Sequence, residues 1–164
     1  MIARAAGGRG MVFWRAMMTR ATAAACLLLA AACAPAGGTP DVEHIPLAGD
    51  SRLPFSAAVR VGPMLYLSGQ IGTDESGALV PGGIEPETRQ TLENIKAVLE
   101  RGGSSLDQVV KCTVMLADIS EWPAMNAVYT TYFKGKLPAR SAFAASGLAM
   151  GARIELECWA AVGR

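Results

Sequence analysis

Two charged side chains stand out because each lies in an apolar, strand-like segment. Arg140 follows a proline in Leu137–Ser141, and Glu155 lies within the apolar stretch Ile154–Trp159. The planar guanidinium of arginine binds a carboxylate through two parallel hydrogen bonds. A glutamate between bulky apolar neighbours is suited to acid–base work. These residue types predict an anion site and a proton-transfer group. The alternative hypothesis is that Arg140 is a surface residue and that Glu155 lies on a solvated strand face. We assign Glu157 to such a solvated face.

Other familiar catalytic signatures are missing from the sequence. It has no GxGxxG, P-loop or HExxH motif and no histidine placed to activate a serine or cysteine. The single histidine, His44, is interpreted as a surface residue. Cys112 and Cys158 lie on apolar sides of strand patterns, which favours small buried residues and leaves a disulfide between them open. No His/Cys spacing indicates a metal site.

The N-terminal region has the pattern of an export signal. Residues 1–32 contain four arginines, no acidic residue and a 12-residue apolar run ending in three alanines before Cys33. This run is shorter than the about 20 apolar residues that span a bilayer. We expect a signal peptide at 1–32, a tether at 33–43 and a folded domain at 44–164. Cys33 is the expected lipidation site, and the alternative is ordinary cleavage after Ala34 or Ala36.

The charge of the mature chain argues against nucleic acid as a partner. Removing residues 1–32 takes away 4 of the 15 basic residues and none of the 14 acidic ones, which leaves a net charge of −3. Nucleic-acid binding depends on neutralising phosphates with clustered lysine and arginine. A mildly acidic domain without such a cluster is therefore a poor candidate for binding nucleic acid.

The periodicity of apolar residues predicts an α+β fold. Alternating segments indicate strands and helical spacing indicates two helices, in the order β-β-α-β-α-β-β. Such a pattern forms a mixed sheet with both helices on one face, and the other face must be wet or covered by a partner. Because that face carries Met115 and Trp159 beside Glu155 and Glu157, we expect a homo-oligomer. The expected segments are strands at 52–61, 64–71, 110–116, 140–146 and 153–162 and helices at about 86–101 and 118–133.

Six blocks in register resemble the Rid family, also called the YjgF or L-PSP family, from about His44 to the C-terminus. They are Tyr66–Ile71, Thr91–Leu99, Val109–Val114, Met125–Phe133, Leu137–Ser141 and Arg153–Glu157. The resemblance implies a chorismate-mutase-like fold and a homotrimer with clefts between subunits. It also implies that Arg140 binds the substrate carboxylate and that Glu155 positions water. By the same resemblance Ser68, Gly69 and Asn126 line the cleft.

The resemblance implies a reaction that needs no cofactor and no metal: hydrolysis of an enamine-derived 2-imino acid to a 2-oxo acid and ammonia. Phe55 and Ala142 occupy cleft positions where relatives often have tyrosine and cysteine, and the turn at residues 146–151 also departs from the family pattern. These departures bear on the choice of substrate. The alternative hypothesis is an envelope ligand-binding or chaperone-like protein that keeps the arginine pocket without turnover.

Overall fold

The described part of the chain, residues 38–49 and 52–163 of the computed structural model, forms a mixed sheet of seven strands with two α-helices. The strand order is β1-β2-β3-β7-β5-β6, and β4 pairs with β7. Neighbouring strands are antiparallel except for β5 and β6, which are parallel. The elements are β1 Val42–Ile45, β2 Ala58–Val61, β3 Met64–Leu67, β4 Gln70–Ile71, α1 Ile84–Arg101, β5 Val109–Leu116, α2 Trp122–Tyr132, β6 Ala139–Ala144 and β7 Ile154–Ala161.

Both helices form where the sequence predicts them. Helix α1 has a proline and two glutamates in its first turn, where a missing N–H and a negative charge are both tolerated, and it ends before Gly102. Its buried positions recur at helical spacing, and those of α2 do the same. These stripes pack with alternate residues of β5 and β7 into one core. The mixed sheet with two helices on one face confirms the predicted fold class.

The sheet has two more strands than predicted. Residues 33–43 were expected to be a tether, but β1 begins at Val42 and pairs with β2. Its first three residues are exposed, so the short polar segment has no apolar pattern that would reveal a strand. The predicted strand at 64–71 is interrupted at Ser68 and Gly69, which separate β3 from β4. His44 is exposed, as expected.

A bulge at the start of β5 changes which side chain enters the core. Strict alternation along the predicted strand 110–116 would place Val110 on the same face as Cys112, but Val110 is 44% exposed and Val109 is buried. The pairing between β5 and β7 shifts register between Val109 and Lys111. An extra residue in one strand reverses the facing of the residues before it. From Cys112 onward the predicted alternation is confirmed.

Cys112 and Cys158 form a disulfide across the centre of the sheet. They are register partners on β5 and β7, and both are fully buried beneath the helices. The two cysteines are therefore part of the core, as predicted, and are also covalently joined.

The expected signal peptide, the Cys33 lipidation site and the first part of the tether, residues 33–37, lie outside the described residues. Within residues 38–49 and 52–163, no helix is both long and apolar enough to cross a membrane.

Candidate active site

A depression on the sheet face opposite the helices contains the predicted glutamate. It has a volume of about 520 Å³. Strand β7 alternates between the two faces of the sheet, so that Glu155 and Glu157 project into this depression while their neighbours are buried in the core. The depression is lined by Phe55, Val59, Tyr66, Leu67, Ser68, Gly69, Glu155 and Glu157.

The carboxylate of Glu155 lies directly against the backbone of Gly69. A β-carbon at residue 69 would overlap Oε1 of Glu155 and lie 2.9 Å from its Cδ. A side chain at residue 69 would therefore displace the carboxylate of Glu155. The backbone of Gly69 itself does not demand glycine, since its φ is outside the left-handed region. The break between β3 and β4 thus creates the space that Glu155 occupies.

Hydrogen bonds fix the backbone around this break. The Ser68 hydroxyl donates to the carbonyl of Ser56 at 2.7 Å, and the Ser68 N–H donates to the carbonyl of Ala57 at 3.0 Å. The Gln70 side-chain amide donates to the carbonyls of Ser68 and Gly69 at 3.2 and 3.1 Å. Because the segment is held from both sides, the carboxylate of Glu155 rests on an ordered surface.

Arg140 lies elsewhere, at the edge of the sheet under helix α2. It is the register partner of Cys112, so its side chain is on the helix-covered face. Its guanidinium carbon is 5.4 Å from the ring centroid of Trp122 and 4.7 Å from that of Tyr129. The ion pairs among the described residues join Arg60 to Glu43 and Arg153 to Glu121, and none involves Arg140. This cation is available for an anionic ligand.

Two further predicted residues accompany Arg140. Asn126 is four residues after Trp122 and three residues before Tyr129, so it lies on the same side of α2 as these rings. Ala142 follows Arg140 by two residues on β6, faces the same way and packs at the margin of the core. Helix α2 and strand β6 therefore form an arginine half-site.

The structure separates the predicted site residues into two groups. Phe55, Ser68, Gly69 and Glu155 lie on the open face of the sheet, which we call the glutamate half-site. Arg140, Asn126 and Ala142 form the arginine half-site at the helix-covered edge. Their strands are separated by β5, and three register positions along β5 divide Cys112, the partner of Arg140, from Met115, the partner of Glu155. From the usual strand spacings, Arg140 and Glu155 are therefore about 10 Å apart along the strands and about 10 Å apart across them. One subunit cannot place both groups on one small substrate.

The family profile described as "Endoribonuclease L-PSP" matches residues 47–162. The 2-iminobutanoate/2-iminopropanoate deaminase of Mus musculus is 45% identical over 111 residues, which are 67% of this chain and 82% of the mouse protein. The chain belongs to the L-PSP, or Rid, family. The Rid family protein YyfA of Yersinia pestis superposes with a TM-score of 0.71 at 39% identity, covering 74% of this chain and all of that one. The rat 2-iminobutanoate/2-iminopropanoate deaminase is 47% identical over 110 residues, 66% of this chain and 80% of the rat protein.

Several residues at the two half-sites of this Rid protein were not predicted. Trp122 and Tyr129 were not among the predicted site residues, and only the side-chain geometry shows that both contact Arg140. Glu157, which was assigned to a solvated strand face, lines the same open depression as Glu155. The alternation of β7 already placed both glutamates on one face of the sheet, and this pattern could have indicated that Glu157 lies beside Glu155. Tyr66 lines the depression as well.

Proposed function

We propose that this protein hydrolyses enamine-derived 2-imino acids to 2-oxo acids and ammonia. The observation that carries the proposal is that the fold presents both an arginine with no ion-pair partner among the described residues and a carboxylate held against Gly69. The mouse and rat relatives are named 2-iminobutanoate/2-iminopropanoate deaminases, and this supports the same chemistry here.

The proposed mechanism needs only orientation and proton transfer. The guanidinium of Arg140 binds the substrate carboxylate through two N–H donors. Glu155 accepts a proton from water as the water oxygen bonds to the C=N carbon and the C=N π electrons move to nitrogen. Glu155 then returns the proton to that nitrogen, which gives a carbinolamine. As the C–N bond breaks, Glu155 passes the remaining hydroxyl proton to the leaving nitrogen, so the carbonyl forms and ammonia leaves. This hydrolysis changes no oxidation state, and the imine carbon is already electrophilic.

We also propose that the active unit is a homotrimer with each site between two subunits. The open sheet face exposes a large apolar surface, including Tyr66 at 37%, Trp159 at 42% and Phe143 at 48%. The rings of Tyr66 and Trp159 meet edge to face with centroids 5.3 Å apart. A second copy covering this face would bury these rings and bring an arginine half-site to a glutamate half-site.

Mixing two inactive variants tests both proposals together. Arg140→Lys keeps the positive charge but loses the two parallel N–H donors of the guanidinium. Glu155→Gln keeps the shape of the side chain but cannot accept a proton. Each variant alone should lose ammonia release from a freshly generated 2-imino acid. Co-refolding them in equal amounts should restore about one quarter of the wild-type sites, because a ring of head-to-tail interfaces pairs the intact groups at that frequency.

The outcomes of the mixing experiment are distinct. No recovery from a mixed trimer would mean that both groups act within one subunit. Binding of a 2-oxo acid by the wild-type protein without any ammonia release would indicate a binding protein instead of a deaminase.

We further propose that the protein is exported and lipid-anchored at Cys33. The support is the basic and apolar pattern of residues 1–32, with three alanines before Cys33. A buried Cys112–Cys158 disulfide suits an oxidising compartment. In a bacterial host, Cys33→Ser should abolish fatty-acid labelling and release the protein from membranes. If the wild type takes up no label and fractionates as a soluble periplasmic protein, ordinary cleavage is correct.

A further inference from the structure

The guanidinium of Arg140 lies over two aromatic rings of helix α2. These rings belong to Trp122 and Tyr129, which are seven residues, or about two turns, apart on the helix. The guanidinium carbon is 5.4 Å from the ring centroid of Trp122 and 4.7 Å from that of Tyr129, so it contacts both rings. We call this pair of rings the aromatic clamp.

Contact with the aromatic clamp is compatible with carboxylate binding by the same guanidinium. A cation is attracted to the face of an aromatic ring, and arginine does this with its planar group. Bidentate binding of a carboxylate uses the N–H donors at the edge of the same plane. The side chain can therefore contact the clamp and a carboxylate at the same time.

We infer that Trp122 and Tyr129 are positioning residues that hold the Arg140 guanidinium in its carboxylate-binding orientation before substrate arrives. The inference rests on the proposed function for what Arg140 binds. Arginine has many rotamers, and those not used for binding must be excluded when the substrate docks. A side chain that is already ordered binds more tightly, because less freedom is lost on binding. The clamp thus acts on capture of the carboxylate more than on proton transfer.

The ring of Tyr129, and not its hydroxyl, is the group that acts. The hydroxyl is buried and has no hydrogen-bond partner within the described part of the chain. Burial raises the pKa of Tyr129 to about 12, although the nearby Arg140 works in the opposite direction. The hydroxyl is therefore neutral near pH 7, and the attraction to Arg140 comes from the aromatic face.

Ring-removing and ring-keeping variants separate this role from a structural one. Trp122→Leu and Tyr129→Leu should each weaken binding of 2-oxobutanoate, measured by calorimetry on the full assembly, by about tenfold. In turnover they should raise KM by a similar factor and change kcat little. Trp122→Phe and Tyr129→Phe should bind within about twofold of the wild type, because a ring face remains.

Tyr132→Leu is the matched control on the same helix. Tyr132 is partly exposed and donates a hydrogen bond to Glu93 at 2.7 Å on helix α1. Its loss should lower the melting temperature, as removing any aromatic ring from this helix would, and should leave 2-oxobutanoate binding unchanged. If Tyr132→Leu weakens binding as much as the clamp variants do, the effect is structural and the inference is wrong.

A spectroscopic measurement keeps the inference testable even if the proposed function fails. The Arg140 Nε–H resonance should show restricted motion and a ring-current shift in the wild type. Both should be lost in Trp122→Leu and Tyr129→Leu and kept in Tyr132→Leu. A wild type that neither binds 2-oxo acids nor releases ammonia would refute the proposed function only. A mobile Arg140 in the wild type, or Phe variants that bind as poorly as the Leu variants, would refute the clamp.

Discussion

Replacing Gly69 by alanine tests the placement of the Glu155 carboxylate with a single methyl group. The added β-carbon would overlap Oε1 of Glu155. This oxygen is at the end of a flexible side chain, so the carboxylate can move while the backbone stays in place. To restore van der Waals contact it must shift by more than about 1 Å, and a misplacement on this scale lowers catalytic rates about 10²-fold.

The folding stability of Gly69→Ala should rise slightly or stay unchanged, although its turnover falls. The φ of Gly69 is outside the left-handed region, so alanine meets no backbone penalty there. Replacing glycine by alanine at such a position stabilises a fold by about 0.4–1 kcal/mol, because the unfolded chain loses freedom. The expected result for Gly69→Ala is therefore an unchanged or slightly raised melting temperature with kcat lowered about 10²-fold.

Gly163→Ala provides the matched control, because a β-carbon at residue 163 meets nothing within 4 Å and its φ is also outside the left-handed region. It should have wild-type stability and wild-type turnover. The assay is ammonia release from a freshly generated 2-imino acid, with thermal unfolding followed in parallel. If Gly69→Ala keeps full turnover, the carboxylate position seen here is not the one that catalysis uses.

Three other changes probe the glutamates, the disulfide and the open face. Glu155→Gln should lower kcat about 10²-fold with 2-oxo-acid binding retained. Glu157→Gln makes the same charge change in the same depression, and its kcat should stay within a few-fold of wild type. Equal losses of kcat would mean that both carboxylates act. Replacing Cys112 and Cys158 by alanine should lower the free energy of unfolding by up to about 4 kcal/mol, since the bridge closes a loop with a sequence separation of 46; unchanged denaturant unfolding would contradict this. Trp159→Glu should yield a folded monomer by light scattering and no turnover, and a stable, active trimer would show that this face is not the interface.

Much of the fold could be predicted from local sequence patterns. The elements predicted best, helix α1, strand β7 and the later part of β5, have long apolar repeats that match one periodicity. Strand β1 could not be predicted in this way, because three of its four residues are exposed and it owes its structure to pairing with β2. The bulge before Lys111 was also hidden, since Val109 and Val110 are identical residues and only the pairing with β7 selects which one is buried.

The sequence nominates candidate site residues but not their geometry. Residue type and placement indicated Arg140 and Glu155, family resemblance supported both, and strand alternation placed Glu155 on the open face. The facing of Arg140 depends on parallel pairing between β6 and β5, which joins segments distant in sequence, so local periodicity carries no information about it. The aromatic clamp was hidden for a related reason. Trp122 and Tyr129 fit an apolar helical stripe, and a residue that packs against the core and one that contacts a cation give the same pattern.

In the proposed trimer, the separation of the half-sites explains why an open apolar face and the carboxylate proposed to be catalytic occupy the same side of the sheet. In an isolated subunit Glu155 is only half-buried, and Trp159, on the same face of β7, is 42% exposed. Covering that face would remove apolar surface from water and at the same time exclude water from around the carboxylate. Assembly and completion of the site are then one event. In a subunit that has not assembled, Arg140 has no proton acceptor nearby, and Glu155 has no nearby arginine to bind the substrate carboxylate. We therefore expect turnover to follow the concentration of trimer and not the concentration of folded chain.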